Sequence, residues 1–280
     1  MLWYRGKIST DMEVPFNLSD RGLLLADGVF ETLLVTGGRA FLLDEHLDRL
    51  TRGCATLGIA CDRRVPEQAV RDLVAAAPGA ATLRVTVTRG AGARGLPPPK
   101  DAVPTIFASR SPWSEGMAFS QVRLAVSSIR RNATSPLSRI KSLAYLDNVL
   151  ALGEARQNGA DDALILSSDG NVACASAANI FILENRHLTT PPTSVGILDG
   201  IMRGFTLSAA RDMGLAVVEE AFGLDRLMKA DAIFLTNSVR LLMPVIALDG
   251  KECHPAATDL MVKLASALAD ALGLHSRPTF

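Results

Sequence analysis

The chain has 280 residues, 48% of them apolar, with 29 lysines and arginines set against 29 aspartates and glutamates. That length accommodates one large or two modest domains, and the charge balance leaves no net field to draw nucleic acid or an anionic membrane surface. Four scattered cysteines, Cys54, Cys61, Cys174 and Cys253, form no C-x-x-C pair, which argues against a zinc site or a disulfide framework and for a reducing compartment.

The opening MLWYRGKISTDMEV has no long apolar signal segment, and apolar runs elsewhere are broken by charge before they reach membrane-spanning length. The expectation is a cytoplasmic globular protein without a metal, a nucleic acid or a membrane as partner. In chain order, FETLLVTGG reads as a strand, and RAFLLDEHLDRLTRGCATLGI as a helix with Leu43, Leu47, Leu50, Cys54 and Leu57 on one face. ATLRVTVT alternates, with Leu83, Val85 and Val87 opposite Arg84, Thr86 and Thr88, the mark of a half-buried strand. It runs into RGAGARGLPPP, and Pro-rich punctuation follows, so an inter-domain connection is expected near 110–120.

Beyond that point VRLAVSSI reads as a strand, and SRIKSLAYLDNVLALGEA as part of a helix. ALILSSDGNV suggests two strands around a Ser-Asp-Gly turn, and GIMRGFTLSAARDMG a helix that ends at Gly214. LDRLMKADAIFLTNSVRLLMPVIALDG gives a short helix, a strand, a loop and a strand. Strands and helices interleave without a regular βαβ period, which predicts an α+β fold of two subdomains.

Several residues attract notice on chemical grounds. Lys141 stands at the mouth of an apolar run, where a buried ammonium is costly unless it is paired, neutralised or made covalent; an ordinary surface lysine is the plain alternative. RGAGARG can clamp an anion through its arginines or serve as a mobile turn. LDGIMRGF can present amides to an anion at a helix start or simply lead into a helix. TNSVR follows an apolar strand, where ligands and satisfied turns look alike. Arg49 is open to pairing with Glu45 one helical turn away. No G-x-S-x-G or H-x-x-x-H motif is present, so the usual nucleophile and zinc patterns fail.

Taken together, RGLLLADGVFETLLV, EHLDRL, TRGAGARG, RIKSLAYLDNVLA, NIFIL, TTPP, GILDGIMR and LTNSVRLLMPV resemble, in order and spacing, the class IV aminotransferases. These are the fold-type IV enzymes that use pyridoxal 5′-phosphate (PLP). The resemblance spans about residues 15–250. It implies two α/β subdomains with the cofactor between them: a small N-terminal α+β domain over 1–115 and a large PLP-binding domain over 116–280. It makes Lys141 the Schiff-base and catalytic lysine, and lowering of its pKa in an apolar setting would suit that role.

By the same resemblance Arg49 and Ser238 reach the cofactor phosphate, beside the amides of Gly200, Ile201 and Met202 with Leu198 and Asn237 in the flanking loops. Tyr145 bonds the ring oxygen. Phe30 and Arg94 line the substrate side, and Val239 and Arg240 face the substrate carboxylate; Arg130 and Arg131 are further candidates for that clamp. The partners implied are a small-molecule amino donor, a keto acid and a second copy of the chain in a homodimer.

One position departs from the pattern. The family places a glutamate at the pyridine nitrogen, five residues before the Asn of NIF; here that position is Cys174. A neutral thiol cannot stabilise a pyridinium as a carboxylate does, so a partial thiolate, a neighbouring carboxylate or a less demanding chemistry must stand in. KSLAYLDNVLA resembles the transaminases of branched-chain and D-amino acids, whereas GIMR, Asn237 and RGAGARG resemble 4-amino-4-deoxychorismate lyase. The transaminase is the favoured reading, the lyase the alternative, and a non-catalytic PLP-binding protein a third.

Overall fold

The alternation at 81–88 belongs to an inner strand of a six-stranded antiparallel sheet in the computed structural model, which describes residues 1–253, 258–276, 278 and 280. The chain divides into two compact units. The first holds Met1–Ser114 and Ile140–Ala144; the second holds Glu115–Arg139 and Tyr145–Phe280.

In the first unit the chain runs through β1 (Leu2–Tyr4), β2 (Lys7–Ser9), α1 (Arg21–Leu25), β3 (Gly28–Thr36), β4 (Arg39–Ala40), α2 (Leu43–Leu57), α3 (Arg64–Ala75), β5 (Ala81–Thr88) and β6 (Thr105–Pro112). The strands are ordered β2-β1-β6-β5-β3-β4. β3 and β5 pair over their whole shared length, Gly28 opposite Thr88 through Val35 opposite Ala81. One face of this sheet sends Val29, Leu33, Val85 and Val87 into a core with Leu47, Leu50, Cys54 and Leu73. Each such fully buried side chain contributes about 1.5–3 kcal/mol. The apolar face of α2 is the one read from the sequence, and the helix stops at Gly58, whose φ of 65° is the left-handed cap that glycine adopts freely.

The second unit contains β7 (Val122–Arg131), α4 (Leu146–Gln157), β8 (Asp162–Ser167), β9 (Val172–Ala175), β10 (Asn179–Glu184), β11 (His187–Thr190), α5 (Ile201–Asp212), β12 (Ala216–Glu219), α6 (Leu224–Lys229), β13 (Ala232–Asn237), β14 (Leu241–Leu248), β15 (Lys251–Glu252) and α7 (Asp259–Leu272). Among the described residues its sheet has nine strands, ordered β12-β11-β10-β13-β14-β7-β8-β9, with β15 on β14 and β9 returning to β10. That return closes β10, β13, β14, β7, β8 and β9 into a ring. One side packs Leu124, Leu164, Ile180, Leu235 and Val245 around Phe222 and Leu227; the other packs Ile165, Ala173 and Cys174 against Ala151 and Ala155 of α4. Phe181 and Phe234, directly opposed on β10 and β13, stack with centroids 5.0 Å apart.

The structure corrects one sequence expectation. Lys141 is not on a helix: α4 begins only at Leu146. Lys141 lies in the short return of the chain to the first unit, where Ser142 bridges Val29 on the edge of β3. No helix among the described residues is long and apolar enough to cross a membrane.

Candidate active site

The lysine segment is held by backbone. Phe30 N–H donates to the Lys141 carbonyl and Leu143 N–H to the Gly28 carbonyl, both at 2.9 Å. Free strand-edge groups are satisfied in this way, and the bonds fix the height of Lys141 along β3. Its Nζ stands 4.5 Å from the centroid of the Phe30 ring, and the Arg84 guanidinium carbon stands 3.6 Å from the same centroid. The ring face attracts each cation. Thr86, directly across from Phe30, is buried with its hydroxyl unpartnered among the described residues. Arg84 and Thr86 looked from the sequence like the wet side of an alternating strand.

On the opposite face of β3, Arg49 of α2 is bonded to Glu31 rather than resting on a local helical partner alone. Its Nε and Nη2 donate to the two oxygens of Glu31, each at 2.7 Å, and His46 Nδ1 lies 2.7 Å from Glu31 Oε2. All three residues are buried. Burial alone would push the Glu31 carboxyl up, but the charge and hydrogen bonds of Arg49, with those of His46, outweigh it and hold the pKa at about 2. Glu31 and His46 escaped the sequence reading; the available signal was a glutamate in the middle of the apolar strand GVFETLL.

In the second unit a polar row crosses one face of the sheet. Cys174 is directly opposite Asn179, and Asn179 directly opposite Thr236, so the three side chains project from the same side. Arg131 Nε lies 3.4 Å from Cys174 Sγ. Burial works against the charge of Arg131, but Cys174, Tyr145 and Asp147 hold its pKa above the ordinary value. Thr236 is 1% exposed, and its hydroxyl has no partner among the described residues. Tyr145, at the start of α4, is half-buried, and Asn148 in the first turn donates to the Ser176 carbonyl.

Asn179 also shapes the start of α5. Its Nδ2 donates to the Leu198 carbonyl at 3.0 Å, and a Cβ placed on Gly200 would collide with its Oδ1. Gly200 is the N-cap residue with no side-chain cap, so the first amides of the helix, at Ile201 and Met202, lack intrahelical acceptors. A glycine-lined helix start of this kind is suited to an anion. In the next loop Asn237 Oδ1 accepts from the amides of Val239 at 3.0 Å and Arg240 at 2.7 Å, a side-chain-closed turn that displays the half-buried Ser238. Arg240 Nη2 donates to Ser120 Oγ at 2.9 Å. The glycine loop after β5 is tethered rather than loose: Arg21 donates to the Gly95 and Leu96 carbonyls at 2.9 Å each, and Arg94 is exposed on it.

The structure thus brings Lys141 and Phe30 together in the first unit, with Arg49 of α2 bonded to Glu31 beneath the reverse face of β3. In the second unit it brings Leu198, Gly200, Ile201 and Met202 into one helix start and Asn237, Ser238, Val239 and Arg240 into one turn. In the second unit an anion-suited helix start and an orphaned buried hydroxyl suit a phosphorylated ligand.

These features accord with the relatives of the chain. The model of the amino-transferase class IV family matches residues 28–248. A Methanocaldococcus jannaschii protein, provisionally named a branched-chain-amino-acid aminotransferase, is 35% identical over 89% of this chain and 88% of its own. The D-alanine aminotransferase of Bacillus licheniformis is 28% identical over 93% and 92%. The crystal structure of 4-amino-4-deoxychorismate lyase from Pseudomonas aeruginosa superposes with a TM-score of 0.85 at 30% identity, covering 96% of this chain and 98% of that one. The chain belongs to the class IV aminotransferase family and is a fold-type IV, PLP-dependent enzyme.

Proposed function

We propose that this enzyme is a transaminase that moves an amino group between an amino acid of the branched-chain or D-amino-acid type and a 2-keto acid, with Lys141 as its catalytic amine. The observation that carries this reading is the Phe30 ring shared by the Lys141 amine and the Arg84 guanidinium, which sets a proton-transfer group beside a carboxylate-binding one. Arg49, Ser238 and the amides of Gly200, Ile201 and Met202 would hold the phosphate of PLP, flanked by Leu198 and Asn237; Tyr145 and Cys174 would lie along its ring. PLP supplies an electron-withdrawing ring and an aldehyde to which Lys141 attaches and on which amino groups exchange. Lys141 Nζ takes the proton from the substrate α-carbon and returns it, and Arg84, with Val239 and Arg240, orients the carboxylate.

The test is the visible absorbance of the yellow holoenzyme on addition of L-leucine, D-alanine, L-glutamate or (R)-1-phenylethylamine. Bleaching by one donor, reversed by a keto acid, is the expected result and names the substrate branch. A spectrum unchanged by every donor, with pyruvate released from aminodeoxychorismate without a keto acid, would replace the transaminase with the lyase.

That second reading is favoured by the Arg131–Cys174 contact, which sets a cation and a thiol where the resemblance calls for a carboxylate and so suits chemistry with a weaker electron sink. Cys174→Glu reads it directly: a transaminase working with a handicapped ring should gain turnover by about tenfold, whereas a lyase adapted to the native pair should lose pyruvate release.

A homodimer accords with the outer face of α4, where Leu146, Val149 and Leu150 are 74%, 60% and 60% exposed, an unusual concentration of apolar surface. Val149→Glu is expected to shift the sedimentation coefficient toward the monomer; a wild type that already sediments as a monomer would exclude the dimer.

A further inference from the structure

Glu31 is the charged residue on a strand face that otherwise supplies Val29, Leu33 and Val35 to the core beneath α2. As a source of stability it is a poor choice: a buried ion pair contributes little more than well-packed apolar residues of the same volume, and often less. What a carboxylate does that a leucine cannot is fix the plane and direction of a guanidinium through two parallel hydrogen bonds.

Other buried arginines of the same unit use their guanidiniums on backbone as well. Arg89 meets both oxygens of Asp27 through Nε and Nη2, as Arg49 meets Glu31, and also donates to the carbonyls of Leu57 and Gly58. Arg21 donates to the Gly95 and Leu96 carbonyls and to Asp27, and Arg110 to the Pro78 and Gly79 carbonyls. These guanidiniums tie loops down. In Arg49 the Nε and Nη2 edge is met by both oxygens of one carboxylate, and that carboxylate is held from a second side by His46, three residues earlier on the same helix. Buttressing of this kind, in which a ligand's orientation is fixed by a hydrogen-bonded partner, is how binding groups are preorganised.

We propose that Glu31, anchored by His46, is the positioning residue for Arg49 and sets the direction of its guanidinium toward the cofactor phosphate. The proposal rests on the reading of Arg49 as a phosphate ligand, and the test separates the two. The full-length chain, stripped of cofactor, is titrated with PLP and with pyridoxal, which lacks the phosphate, and the ratio of the two dissociation constants is the readout. Arg49→Met should lower that preference for PLP by about tenfold or more. Glu31→Gln should lower it by a similar factor while leaving pyridoxal binding unchanged, and Glu31→Asp and His46→Gln should lower it less. A merely structural carboxylate would weaken both ligands alike, and that outcome overturns the proposal. So does a preference kept by Glu31→Gln but lost by Arg49→Met, which leaves the phosphate reading standing. A preference kept by Arg49→Met removes the phosphate reading and the proposal with it. If Glu31→Gln does not fold, Glu31→Asp and His46→Gln are titrated in its place: a lowered ratio supports the proposal, and an unchanged ratio overturns it.

Discussion

The two units handle charge in opposite ways. In the first unit the clustered polar side chains are ionic: Arg49 and His46 meet at Glu31, and Arg84 and Lys141 share an aromatic ring. In the second unit the groups are mostly neutral, among them the thiol of Cys174, the amide of Asn179 and the orphaned hydroxyl of Thr236, and the turns are shaped by Gly200 and Asn237. A side chain that must hold one orientation is braced by another charge, whereas an anion received by backbone amides needs only room and exposed N–H groups. Affinity in the second unit should therefore be sensitive to volume, and integrity of the first unit to protonation.

The largest break in this contrast is Lys141→Ala. Turnover should fall by about a thousandfold or more, and borohydride treatment of the holoenzyme should no longer leave cofactor on the peptide containing residue 141, as read by mass spectrometry. Next comes acid. The Glu31 carboxyl is held at about 2, against 4.5 for the unperturbed group. Its contribution to stability is therefore complete above pH about 4.5 and is lost as the pH falls toward about 2, amounting to on the order of 3 kcal/mol. Chemical denaturation across that range should show wild type losing stability that Glu31→Gln never had; parallel curves would refute the assignment. The smallest effect is Gly200→Ala. The added methyl meets Asn179, overpacking costs about 1–3 kcal/mol, and PLP affinity should drop by about tenfold alongside a fall of a few degrees in melting temperature. A large loss of melting temperature at unaltered affinity would show that Gly200 serves the fold alone.

Much of the scaffold was legible because it rests on local periodicity. The alternation of 81–88 is the register of β5 against β3, and the apolar stripe from Leu43 to Leu57 is the buried face of α2. The helix start at Gly200 and the turn at Asn237 were also readable, since glycine and asparagine carry their backbone chemistry with them. The pairing of Lys141 was not. Its apolar surroundings continue smoothly into α4, and the contact that removes it from the helix is with Gly28–Phe30, more than a hundred residues away in sequence. Arg49 shows the same limit: its spacing to Glu45 is a local cue, whereas its observed partner Glu31 lies on β3, 18 residues earlier in sequence.

The brief return of the chain through Ile140–Ala144 has a consequence for how the enzyme can be divided. The residues on either side of this passage belong to the second unit, yet the lysine itself is part of the first. A single cut at Ser114 would leave the N-terminal fragment with the edge of β3 unpaired, and would leave the C-terminal fragment carrying Lys141 without the strand that aligns it.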